Sequence, residues 1–397
     1  MKKNDFAIFL VYIAMFAVAL LVGLFVIRPL ISQYGNSLPI HFVALVVIGL
    51  ILGVLINAAL LELGHLAGAK VGQYEVLSFV ILGVGVKTIE GKKKFGFHGF
   101  DGLTGETKVA PKDPEKSSLG SYTFLPLVFF LVEVIGLMVA NSIAGSAASS
   151  DPAIAWVQIM SVTMMTVGGM IFLYDIFPAR LDSINDGYLF SLFSKNGNRF
   201  AYNCLLLQEK ANALQEEAPE LPIFEEITDF TAELNELAAY RLVAKGDFDG
   251  AVAILDKTIK AETGPSKAAV KEAKCIKLGL LLASSKTTVG KHYYEEEFDD
   301  DDKRYISEMA HMPALRCYLL ISGMIENSDT ETNYAIDKVE KVLKNTEPLF
   351  LESEKALIAH DKEFLKKVHP TWDFYPLPWE EKKPEEAEEN PAESEKE

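Results

Sequence analysis

Four long apolar runs in the first 175 residues decide what this chain can fold into. A helix needs about 20 apolar residues to cross a hydrocarbon core of about 30 Å. Phe6–Ile27, Ile40 to about Leu63 with helical continuation to Val71, Tyr122–Ala144 and Ala153–Tyr174 all meet that length. In lipid, backbone polar groups must be satisfied within the segment, so such runs are expected to be α-helices. The first run follows Lys2 and Lys3, as a signal peptide would, but it exceeds an h-region in length and no A-x-A site follows. It reads as a retained span. The expected fold class is an all-α polytopic membrane protein with about four transmembrane helices, a small β element between spans two and three, and a soluble α-helical repeat-like domain.

Basic residues orient the spans. Lys2 and Lys3 precede the first, and only Arg28 follows it. Between spans two and three come Lys70, Lys87, Lys92, Lys93, Lys94, Lys108, Lys112 and Lys116. The link Asn141–Pro152 has no basic residue, and Arg180, Lys195 and Arg199 follow span four. The pattern predicts a multi-pass protein of the cell membrane with both termini cytosolic. Residues 72–121 are too many for a bare connection. Val76–Val86, Phe95–Phe100 and Glu106–Ala110 are expected as strands of a small sheet or re-entrant hairpin at the cytosolic face.

The formal net charge of −17 lies largely in the second half, and such acidity excludes nucleic acid as a partner. Cys204, Cys275 and Cys317 form no CxxC pair and read as reduced thiols of a cytosolic domain. Within Ala232–Lys260, two apolar-periodic segments flank Lys-Gly-Asp-Phe-Asp, which resembles a tetratricopeptide repeat. Ala268–Ser284 and Ala314–Lys344 are expected as further hairpins, with a plain helical bundle as the alternative. The run Glu295–Asp302 lacks calcium-loop spacing and reads as a solvated acidic loop. The expected division is 1–35 for the first span and outer loop, 36–195 for a membrane core, 196–368 for the helical domain and 369–397 for an acidic disordered tail.

Chemistry concentrates at the end of span two, in Leu61-Glu62-Leu63-Gly64-His65. Ionisable groups near a membrane helix are costly and so mark function. Glu62 and His65 share a helix face at i and i+3. Gly64, Ala67, Ala69, Gly72, Val76, Phe79 and Gly83 follow, and Asp175-Ile-Phe-Pro178 with Asp186-Gly187 comes after span four. In these motifs the region of about residues 40–190 resembles the site-2-type intramembrane metalloproteases. That family carries His-Glu-x-x-His and, later, Asn-x-x-Pro followed by Asp-Gly.

The resemblance implies zinc held by His65 and Asp186, with Glu62 as catalytic base if the protein is active. Leu61 occupies the first His position and has no lone pair for a metal. Asp175 replaces the Asn, which is expected to disturb substrate positioning. His41 lies about 36 Å away along a continuous helix and cannot replace the missing imidazole. His98 and Asp182 are the groups that would have to. The expectation is an incomplete site without zinc, in a pseudoprotease that binds a membrane protein or peptide uncut. Its helical domain would dock a cytosolic protein. The alternatives are an active zinc protease with an unusual ligand set, and a membrane-anchored scaffold or transporter component. Glu133 is expected to pair with Asn57, and Met160, Met164, Met165 and Met170 to serve packing.

Overall fold

The structure, a computed structural model, describes residues 5–34, 39–99, 104–147, 152–181, 184–195 and 197–380. It is mostly helical, with one small antiparallel sheet. Among the described residues, four helical stretches are long and apolar enough to cross a membrane: Phe6–Ser32, Val43–Val71, Leu119–Ala147 and Ile154–Asp175. The chain divides into two compact units, Met1–Leu234 and Asn235–Glu397.

In the first unit, α1 (Asp5–Val22) passes through a π-helical turn at Gly23–Ile27 into α2 (Arg28–Tyr34). The Arg28 N–H donates to the Gly23 carbonyl, a wider i→i−5 bond. Pro29 explains the widening, because its ring would clash with the carbonyl four residues back in a regular helix. The first span therefore runs on past Ile27.

α3 (Pro39–Val71) packs on α4 (Leu119–Ala147) and α5 (Pro152–Asp175). Small residues let membrane helices approach closely. A Cβ on Gly64 would sit 2.5 Å from Pro126 Cα, and one on Gly68 would sit 2.4 Å from Ser121 O. Gly72 meets the Ser118 carbonyl at the same distance. The three glycines recur every fourth residue, so one face of α3 lies against the α4 backbone. On the α5 side, Gly168 makes room for Asn57, whose Nδ2 donates to Glu133 Oε1 at 3.1 Å, the expected pairing.

The connection from α3 to α4 forms the sheet, in the order β3-β2-β1-β4. Its strands are β1 (Tyr74–Ile81), β2 (Val84–Ile89), β3 (Lys92–Phe97) and β4 (Gly105–Pro111). The run Val76–Val86 supplies most of β1 and the start of β2. Leu82 and Gly83 turn it at φ of 47° and 83°, with Ile81 opposite Val84. Positive φ at both positions is the signature of the tight hairpin turn.

α6 (Asp186–Phe193) and α7 (Asn198–Leu214) complete the unit. α7 lies on the sheet. Tyr74 OH donates to Asn203 Oδ1 at 2.6 Å, and Lys210 pairs with Glu75 at 2.8 Å. The chain consequently divides after Leu234 rather than at 195/196, and Cys204 belongs to this unit, not to the helical domain.

α8 (Asp229–Ala244) contains the division. The second unit continues with α9 (Phe248–Ile259), α10 (Lys267–Leu282), α11 (Thr287–Glu297), α12 (Asp300–Glu308), α13 (Met312–Met324), α14 (Asp329–Leu343) and α15 (Pro348–Val368). The buried α13 packs on α10, α12, α14 and α15. Arg316, 2 % exposed, bonds Asp361 at 2.8 Å and approaches Glu354 at 3.6 Å. Burial alone would lower the guanidinium's pKa, but Asp361 and Glu354 hold it above its ordinary value.

Two sequence expectations change here. The acidic run is no solvated loop: Glu295–Glu297 close α11, Phe298 is buried, and Asp299 caps α12 by accepting from the Asp302 N–H at 2.8 Å. Acids in a first turn complement the helix dipole, and Asp302 also pairs with Lys274. The tail expected from 369 is ordered through Glu380. Leu377 enters the core, and the buried Lys362 holds Glu380, which also accepts from the Leu377 N–H. The remaining residues, 381–397, lie outside the described part.

Candidate metal centre

The site forms where the end of α3, the end of α5, the start of α6, β4 and α4 meet. A cavity of about 450 Å³ opens among them, and Leu61, Glu62, His65, Thr107, Tyr122, Asp175 and Asp186 are in its wall. Glu62, His65, Asp175 and Asp186 are all buried. The three predicted residues are therefore brought together, and a fourth, unpredicted as a ligand, joins them.

His65 is aimed by the chain around it. Its Nδ1 lies 3.2 Å from the Tyr122 carbonyl oxygen, and the two rings sit 4.5 Å apart. In a regular helix that carbonyl would accept the N–H of residue 126, but Pro126 has none. The proline frees the acceptor, and the close approach at Gly64 and Gly68 brings His65 to it. With Nδ1 donating there, Nε2 keeps its lone pair for a metal, the usual arrangement of a ligating histidine.

Glu62 accepts from Thr104 Oγ1 at 3.0 Å and from Thr107 Oγ1 at 2.5 Å. The sheet thus fixes the carboxylate, with Tyr122 OH donating in turn to the Thr107 carbonyl at 2.8 Å. Neither threonine was legible in the sequence, because their segment shows only an apolar-polar alternation that says nothing about α3.

The carboxylates come from the other wall. Asp186 opens α6, and Gly187 is required beside it: a Cβ there would lie 2.1 Å from the Ile176 carbonyl. Asn185 Nδ2 donates to the carbonyls of Tyr174 and Phe177, at 3.2 and 2.7 Å, and ties the connection back to the end of α5. Burial, then the charge of Asp175, push the Asp186 carboxyl well above the ordinary carboxylate range.

Asp175 does not merely stand in for a positioning asparagine. Its Oδ1 accepts the Asp186 N–H at 3.2 Å, and its carboxyl group also hydrogen-bonds the Asp186 side chain. Ligand atoms of His65, Asp175 and Asp186 all lie within 4.8 Å of one another. A tetrahedral ion with bonds near 2.1 Å needs donors about 3.4 Å apart, and these atoms lie within 4.8 Å. An imidazole and two carboxyl groups could hold a divalent cation here.

Of the two groups that would have to repair the ligand set, the one among the described residues does not do so. His98 lies just past β3, with Nε2 3.2 Å from the Lys94 carbonyl, and is not part of the cluster. Asp182 lies outside the described residues. Leu61, at the first ligand position, packs on Val167 and Ile171. Compared with known proteins, the chain matches no family model, no curated protein and no solved structure.

Proposed function

We propose that the membrane unit is a metal-dependent peptide hydrolase of the site-2 type, acting on a segment held at the membrane edge. The observation that carries this reading is the buried convergence of His65, Asp175 and Asp186 on one point, with Glu62 in the same cavity wall. The separation of His65 from Asp186 speaks against a scaffold in which the motif residues are incidental. The nearness of His65, Asp175 and Asp186 supports a set of three donors despite Leu61.

His65, Asp175 and Asp186 would hold the ion, which when bound would supply Lewis acidity to water and to the scissile carbonyl. Glu62 takes the proton of the attacking water and returns it to the leaving amine as the C–N bond breaks. Thr104 and Thr107 hold Glu62 for both transfers. Tyr122 fixes the histidine ring through its backbone carbonyl. The distribution of lysines around the sheet supports a cytosolic position for this end of the spans. In the second unit, α10 packs on α9, α11 and α13, and α13 on α14 and α15. Such hairpin stacking supports a tetratricopeptide-like surface that binds a cytosolic protein.

The test is cleavage of membrane-spanning reporter peptides by the purified chain. Wild type cuts after divalent loading, and Glu62→Gln keeps its metal but loses cleavage. Metal binding without cleavage across the reporters supports the pseudoprotease instead, a reading favoured by the burial of Leu61 where the family carries a ligand. Cleavage that survives Glu62→Gln ends the hydrolase reading.

A further inference from the structure

The proposed hydrolysis uses a metal, and the donor set bears on which one. The resembled family offers zinc two imidazoles and one carboxylate. Here Leu61 removes one imidazole, and Asp175 replaces it from a different helix, at the end of α5 rather than one turn before His65. Asp175 is 7 % exposed, lines the cavity and lies directly beside Asp186, whose N–H it accepts. The set is then one nitrogen and two oxygens.

We infer that Asp175 makes this an oxygen-rich centre that accepts octahedral, oxygen-preferring divalent ions of the manganese class and has lost much of the family's preference for zinc. The inference rests on the hydrolase reading only in assuming that His65, Asp175 and Asp186 bind one ion.

Three arguments support it. Imidazole favours zinc, copper, iron and nickel, whereas carboxylate and water favour manganese, magnesium and calcium. Replacing a neutral imidazole by a carboxylate adds one negative charge, which attracts every divalent ion alike and so strengthens manganese without restoring zinc's advantage at nitrogen. The cavity of about 450 Å³ leaves space for the water ligands that complete six-fold coordination. A tetrahedral zinc site needs only one such position.

The experiment uses the full chain in detergent micelles, stripped of metal and titrated with Mn²⁺ alone and then with Mn²⁺ against Zn²⁺. Binding is read by loss of the paramagnetic signal of free Mn²⁺. Wild type is expected to bind one Mn²⁺ per chain. Asp175→Asn, which keeps the shape and loses the charge, weakens it by about tenfold or more. Asp175→His restores two nitrogens and raises the ratio of zinc to manganese affinity by about tenfold or more. His65→Ala removes binding of both ions and shows that the signal comes from this site.

A ratio unchanged in Asp175→His, or Asp175→Asn binding Mn²⁺ like wild type, overturns the inference. Wild type that binds zinc at this site but no manganese also overturns it, while leaving the hydrolase reading intact. No binding of either ion overturns both.

Discussion

Gly68 carries the link between helix packing and metal chemistry, and Gly68→Ala tests it. The new Cβ would lie 2.4 Å from Ser121 O and 2.5 Å from Tyr122 Cα, where ordinary contact begins at 3.4 Å. Both obstacles are backbone, so no rotamer relieves them and α4 must recede locally by about 1 Å. The His65 Nδ1 to Tyr122 O distance is already 3.2 Å. A further ~1 Å takes it beyond hydrogen-bond range. Overpacking of this kind costs about 1–3 kcal/mol. Losing the partner that orients a ligating histidine costs about 10–100-fold in metal affinity. Gly136→Ala, in α4 with nothing within 4 Å of its Cβ, is the matched control. Metal affinity by calorimetry and thermal unfolding of both variants check the reasoning. If Gly68→Ala remains folded and binds metal as Gly136→Ala does, the glycine contact does not position His65.

The second unit supports two further predictions. Arg316→Ala leaves Glu354 and Asp361 buried without their cation, and is expected to cost about 3–5 kcal/mol in chemical denaturation of that unit. A loss under about 1 kcal/mol would mean that the two carboxyls are already neutral. Burial would raise the Glu380 carboxyl, but the Lys362 ammonium and the Leu377 N–H outweigh it and lower its pKa. The stability it adds is therefore present above the unfolded carboxyl value of about 4.3 and is lost as pH falls through the lower folded value. Wild type and Glu380→Gln are expected to differ in melting temperature at pH 6 and to converge near pH 3; a difference that persists there contradicts this coupling.

The spans were legible because length and apolarity alone decide whether a helix can cross a membrane, and α3, α4 and α5 needed nothing else. Glu62 and His65 stood out by sharing a helix face, and Asp186 only through the resemblance to the site-2-type family, whose second motif is an Asp-Gly pair. Asp175 was not legible as a ligand. In the sequence it fills a place where the resembled family has an amide, and only the turn of the chain between α5 and α6 points its carboxylate at Asp186. The role of Tyr122 had a signal that went unread, Pro126 four residues later, whose missing N–H frees a carbonyl. In the second unit, the average composition of the last 29 residues, set by the Glu-, Pro- and Lys-rich stretch from 380 on, hid Trp372, Phe374 and Leu377, which pack. The acidic run misled in the same way, since charge density does not distinguish a loop from a capped first turn.

Metal content per chain tests the central claim most directly. The purified chain is loaded with Mn²⁺ or Zn²⁺, passed through a desalting column and assayed by mass spectrometry, beside His65→Ala, Asp175→Ala and Asp186→Ala. One ion per wild-type chain, lost in each of the three variants while they remain folded, is the expected result. No retained ion in wild type, or equal retention in all four proteins, would contradict a metal centre built from these residues.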